Sequence, residues 1–115
     1  MITIEDFSKA EIRVGKVVKA EEAEWSRKLI RLKVDFKEFK RTIFTGVRTY
    51  GYSAADFEGK QFLFVTNLEP KKMGEEESQG MILAVDPPSP KASEGQASKP
   101  VFIEVNGLPV GAKIR

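Results

Sequence analysis

The chain has 115 residues, 41% of them hydrophobic and 31% charged, and a formal net charge of +2 at pH 7. That is the size and balance of one soluble globular domain, and so small a net charge leaves the question of a polyanionic partner to the clustering of cations. There is no cysteine and no histidine, which excludes disulfides and thiolate metal sites, fits a reducing, cytoplasmic setting, and removes both the usual general base near neutral pH and the commonest metal ligand. No catalytic residue, metal or cofactor is therefore expected.

Residues 1–12, MITIEDFSKAEI, have no basic start and no long apolar run, so they do not read as a secretory leader. Thr3 and Asp6 resemble a capping pair, and residues 3–10 read as a helical turn. Residues 11–19 form a first strand, with Ile12, Val14 and Val18 on one parity and Gly15 as the place for a bulge or tight bend. The strongest periodic signal follows: Ile30, Leu32, Val34 and Phe36 alternate with Arg31, Lys33 and Asp35, a strand with one buried and one wet face. Residues 42–47 make a third strand.

Residues 53–59 read as a short helix, with Ser53 as its cap and Gly59 as its stop. Residues 61–68 form a fourth strand, apolar on both faces and hence interior; even this stretch is too short to cross a membrane. Residues 81–85 are a fifth strand. Residues 86–100 hold four of the six prolines and read as a loop. A last strand is expected over 101–105, ahead of an Asn106-Gly107 turn. A helix between the third and fourth strands suits an all-β, five-stranded barrel of the oligonucleotide-binding (OB) type over residues 11–86. The appendage at 87–115 comprises a loop and a strand-containing C-terminal extension.

Two stretches carry chemistry. Residues 67–81, NLEPKKMGEEESQGM, leave the fourth strand and return into the fifth, so they form one of the two loops that border the binding face of an OB barrel. Lys71 and Lys72 there can neutralise phosphates, Asn67 and Ser78 can hydrogen-bond a base edge or a 2′-hydroxyl, and Met81 can pack on a base. A solvated loop with ordinary surface lysines fits the same residues. The second stretch places Lys28 before the second strand and Arg31 and Lys33 on its outward face. A wet sheet face carries such residues in any case. Trp25 could stack on a base, plug one end of the barrel or sit in a dimer contact.

These pieces together resemble the tRNA-binding domain found at the C-terminus of many bacterial methionyl-tRNA synthetases and as free-standing tRNA-binding proteins. The matching motifs are DF-x-K-x-E-I-R-V-G-K-V from Asp6, KL-x-x-L-K-V-D from Lys28, R-x-I-x-x-G-V from Arg41, and NL-x-P-x-K-M with S-x-G-M-I-L-A between Asn67 and Ala84. The resemblance implies an OB fold, tRNA recognised by its shape, and a homodimer built partly by residues 101–115. It also implies a role alone or as an accessory subunit of a methionyl-tRNA synthetase. It places Asn67, Lys71, Lys72, Ser78 and Met81 at the RNA face, with Lys28 and Lys33 nearby. Export-related, chaperone-like dimers that bind unfolded peptides share the overall plan and are the alternative. The chain departs from the family pattern at Ala23-Glu24-Trp25-Ser26-Arg27, where a His-Pro-x-Ala-Asp type of run is usual. It departs again at a glycine one place early after Met73 and at the acidic run Glu75-Glu76-Glu77.

Overall fold

The computed structural model describes residues 1–86 and 99–115. A short helix α1 (Ile4–Ser8) precedes strands β1 (Ile12–Glu22), β2 (Ile30–Asp35) and β3 (Lys40–Thr45). Single 3-10 turns lie at Arg48–Tyr50 and Ala54–Asp56. Then come β4 (Gln61–Val65), β5 (Lys71–Met73), β6 (Glu76–Ser78), β7 (Met81–Ile82), β8 (Ala84–Val85) and β9 (Val101–Phe102). The main sheet runs β3-β2-β1-β4-β7, every neighbour antiparallel, and curls into a nearly closed five-stranded barrel. Among the described residues, no helix is long and apolar enough to cross a membrane.

β1 is the hinge of the barrel because it serves two partners. Its first half pairs with β4 and its second half with β2. The register slips between Val17 and Lys19, and this bulge changes the expected parity: Val14 and Val17 point into the core, whereas Val18 is exposed. The bend is therefore at Val18, and Gly15 has a different job. A Cβ at Gly15 would lie 2.6 Å from both Phe36 and Val34 and 2.8 Å from Phe64. The barrel is so narrow there that opposing side chains fill the space over the backbone. Phe36 and Phe64 meet edge to face at 5.5 Å in that space.

The expected helix over 53–59 is one 3-10 turn. Ser53 and Asp56 do form the capping box, but the chain must then drop Phe57 into the core, where it is 1% exposed. The expected strand over 81–85 splits at Leu83. Its first part follows β4, but the next positions on that edge, Phe62 and Gln61, are taken by Glu104 and Val105. Two segments compete for one strand edge, so Ala84–Val85 turns away and pairs with β9 instead. The C-terminal residues also cover the free edge of β1: Val14 N–H donates to Ala112 (2.9 Å), Gly111 N–H to Val14 (2.7 Å) and Ile114 N–H to Ile12 (2.8 Å). Most of the loop expected over 86–100, residues 87–98, lies outside the described residues.

Gly15→Ala is expected to cost about 2–3 kcal/mol, since an overpacked core must shift rings or backbone. Denaturant unfolding at equilibrium measures it, and a loss below the resolution of that measurement would contradict the close approach.

Candidate nucleic-acid interface

The cross-strand registers arrange the outer face of the barrel in three rows. Glu21, Arg31 and Phe44 form the first, Lys19, Lys33 and Thr42 the second, and Lys16, Asp35 and Lys40 the third. The first row is covered. β5 and β6 pair as a hairpin, with Lys71 opposite Ser78, Lys72 opposite Glu77 and Met73 opposite Glu76. This hairpin lies over the row, and Met73 packs on a small cluster of Ala23, Leu29 and Phe44. Sequence patterning treated the whole segment as a loop; strands of three residues are too short to show a period.

Arg31 is consequently not on a wet face. It is 7% exposed. Its guanidinium binds both oxygens of Glu76, and it lies 3.1 Å from Glu21 and 3.6 Å from Glu24. Its plane also sits over the Phe44 ring, 5.6 Å from the centroid. Arg31 raises no free charge toward a ligand, because three carboxylates already surround it. Glu76 in turn is held below the ordinary carboxylate range by its hydrogen bonds from Arg31 and from the Trp25 indole N–H, with the Lys33 charge adding to the effect. Trp25 answers the question its position raised: it spans two loops, donating to Glu76 at 3.0 Å and lying against Phe44 and the backbone of Gly74.

Ser78 and Asn67 are also engaged within the fold. Ser78 is buried, and its hydroxyl accepts from Phe44 N–H (3.0 Å) and donates to the Gly80 carbonyl (3.2 Å). Next to it, Gln79 exchanges two bonds with Thr42, one through its backbone N–H (2.8 Å) and one through its side-chain oxygen (3.0 Å). These bonds close the seam between β3 and the β6–β7 turn. Gly80 sits at φ +147, and a Cβ there would meet the Val65 carbonyl at 2.7 Å. Asn67 accepts from Glu11 N–H (2.7 Å) and donates to the Lys9 carbonyl (2.6 Å), tying α1 to the end of β4. Glu11 completes that corner by accepting from Arg13 (2.7 Å) and Thr66 (2.9 Å), which lower its carboxyl below the usual range.

The second and third rows remain open. Lys33 and Lys40, with Val18, Arg41, Thr42 and Gln79, line a groove of about 320 Å³. Arg41 is stacked on Phe39, 4.3 Å from the ring centroid. Lys71 and Lys72 are exposed on the adjoining hairpin. Strand alternation sets them on opposite sides of it, Lys71 on the side of Met73 and Lys72 beside Glu77. Lys28 is exposed at the far end of β2, roughly 15 Å along the strand from Lys33. Met81 is exposed on β7 beside Val65. The sequence placed Lys37, Lys40 and Arg41 after the second basic stretch without assigning them to a site; the register sets Lys19 directly across from Lys33 and Lys40 one outward position along, while Arg41 pairs with Val34.

Residues 12–113 match the family model described as "Putative tRNA binding domain". The chain belongs to the tRNA-binding domain family. It is 38% identical over 115 residues to a methionine–tRNA ligase of Clostridium tetani, covering 99% of this chain and 17% of that protein. It is 47% identical over 83 residues to that of Caldanaerobacter subterraneus, covering 72% of this chain and 13% of that protein. It thus spans less than a fifth of these curated relatives. Among solved structures, a MetRS-related protein from Pyrococcus horikoshii superposes with a TM-score of 0.85 at 37% identity, covering 100% of this chain and 98% of that one. The chaperone CsaA from Bacillus anthracis superposes at 0.80 and 31% identity, covering 100% and 99%.

Ser78→Ala leaves the buried Phe44 N–H without its acceptor, and a loss of about 1–3 kcal/mol in unfolding free energy is expected. A stability unchanged in denaturant titration would show that the seam does not need the hydroxyl. Glu11 and Glu76 are lowered in the folded state relative to 4.5. Their stabilisation is therefore fully present above that pH and is lost as pH falls through the folded values. The melting temperature is expected to be level near neutrality and to drop below about pH 4.5, less steeply in Glu76→Gln. Equal acid sensitivity in that variant would count against the Arg31–Glu76 pairing.

Proposed function

We propose that this chain binds the folded body of tRNA on the open basic face of β2 and β3. It acts as a non-catalytic cytoplasmic module, alone as a homodimer or as an accessory part of a methionyl-tRNA synthetase. The observation that carries this reading is the groove at Lys33, Lys40 and Arg41, bordered by a hairpin that presents Lys71 and Lys72, on a member of a tRNA-binding family. Ammonium and guanidinium groups along a groove follow a phosphate backbone without reading bases, as shape recognition of RNA requires. Thr42 and Gln79 in the same groove offer polar contacts to 2′-hydroxyls, and Met81 an apolar one to a base. Arg31 and Ser78 support this face from within, Asn67 holds the N-terminal helix at the end of β4, and Lys28 sits at the margin of the face. With no histidine and no cysteine in the sequence, nothing favours chemistry over binding.

The likeness to the CsaA chaperone keeps peptide binding as the second reading. The two differ in their response to salt. If Lys33, Lys40, Lys71 and Lys72 each neutralise one phosphate of the folded, duplex-rich RNA, log K should fall against log salt with a slope of about −3.5. Binding of the purified chain to total folded tRNA, against single-stranded RNA of equal length, is expected to show that slope and to favour the folded RNA. Lys33→Ala is expected to reduce the slope by about one. Salt-insensitive binding to denatured protein, with no tRNA binding at low salt, would establish the peptide reading instead.

A further inference from the structure

The hairpin that carries Lys71 and Lys72 has two strands of three residues each, and a lone two-stranded hairpin is marginal in water. Its order comes from what it rests on. Met73 enters the Ala23–Leu29–Phe44 cluster, Ser78 binds Phe44, and Glu76 receives Arg31 from below and Trp25 from the side. Trp25 belongs to the β1–β2 loop, so the Trp25–Glu76 bond joins the two loops that frame the basic face. The fit is close: at Gly74, where φ is +62, a Cβ would stand 3.1 Å from the indole ring. Trp25, the early glycine at 74 and the acidic residue at 76 each lie in a stretch where the chain departs from the family's pattern, and the structure brings these three into one contact.

An acidic run beside a surface for RNA is unfavourable by simple Coulomb reasoning. Glu76 escapes that description because its charge is matched by Arg31, and a buried guanidinium without its carboxylate would carry a heavy penalty. The residue thus trades a through-space repulsion for order in the hairpin. If the lysines were on a mobile loop, RNA binding would include the cost of fixing them.

We infer that Trp25 and Glu76, with Arg31 beneath them, are positioning residues for RNA: they clamp the β5–β6 hairpin over β2 and β3 so that Lys71 and Lys72 stand in place before RNA arrives. The inference rests on the tRNA-binding reading above. None of the three touches the phosphates; they set the fraction of molecules in which the lysines are ready.

The test uses the full chain with Glu76→Gln and Trp25→Phe, and Lys72→Ala for comparison. Affinity for total folded tRNA is measured across a salt series, and amide hydrogen exchange is followed over residues 71–78. Glu76→Gln removes a negative charge yet is expected to weaken binding about fivefold, as the competent fraction falls. Its salt slope should stay unchanged and its hairpin exchange should quicken. Trp25→Phe keeps an aromatic ring but loses the N–H donor, and it should move in the same direction by less. Lys72→Ala should instead lower the slope by about one. Tighter or equal binding by Glu76→Gln would overturn the inference, making Glu76 merely a charge beside the site. Weaker binding by Trp25→Phe with unchanged hairpin exchange would overturn it as well, by making Trp25 part of the RNA contact. Absence of tRNA binding by the parent protein would sink the RNA reading, while the exchange data would still decide whether the clamp holds the hairpin.

Discussion

The pairing of Arg31 with Glu76 is the constraint around which the candidate face is built. β2 must put Leu32 and Ile30 inside the barrel, so alternation sends Arg31 to the outer face beside Phe44. A guanidinium and an aromatic ring there could stay in water. Here they are roofed by the β5–β6 hairpin, and once covered the guanidinium requires carboxylates. Glu76 supplies both oxygens, with Glu21 and Glu24 at the margin. The roof divides the outer face into a covered third, where carboxylates outnumber the one guanidinium, and an open basic remainder.

The barrel beneath imposes the second constraint, that of small diameter. Gly15 exists because Phe36, Val34 and Phe64 occupy the space where a side chain would be, and Gly80 because the backbone of Val65 comes equally close. Where β3 approaches the β6–β7 turn there is no continuous ladder. Ser78 and Gln79 complete the seam through their side chains. Position of the loop lysines therefore depends on closure of the barrel, because Ser78 both ends the hairpin and seals the wall.

This changes what the motifs mean. E-I-R at Glu11–Arg13, the asparagine at 67 and the S-x-G of residues 78–80 look like a recognition signature when read along the chain. In the fold, Glu11, Arg13, Thr66 and Asn67 form a corner that holds the N-terminal helix, and Ser78 with Gly80 forms the seam. The family's motifs thus combine residues that build the scaffold with residues that face outward, and resemblance alone does not separate the two. Lys71, Lys72 and Lys33 keep their outward positions; Arg31 and Ser78 are buried with their polar groups bonded inside the fold, and Asn67, though exposed, is tied to Glu11 and Lys9.

The sequence by itself determined the barrel class, the strands β1 to β4, the Ser53–Asp56 capping pair and the membership of the family. All of these rest on local periodicity, on turn chemistry or on the order of short motifs. It also marked the two basic stretches. The tertiary structure decided which of their residues are open. Arg31 and Glu76 are 45 positions apart, and Ser78 and Phe44 are 34 apart, so no window of local sequence contains both partners. The same holds for the split of the expected last barrel strand, where Glu104 and Val105 return to occupy an edge that Ala84 and Val85 would otherwise extend along. Alternation states that a residue lies on one side of a strand; whether that side meets water depends on what the distant chain lays over it.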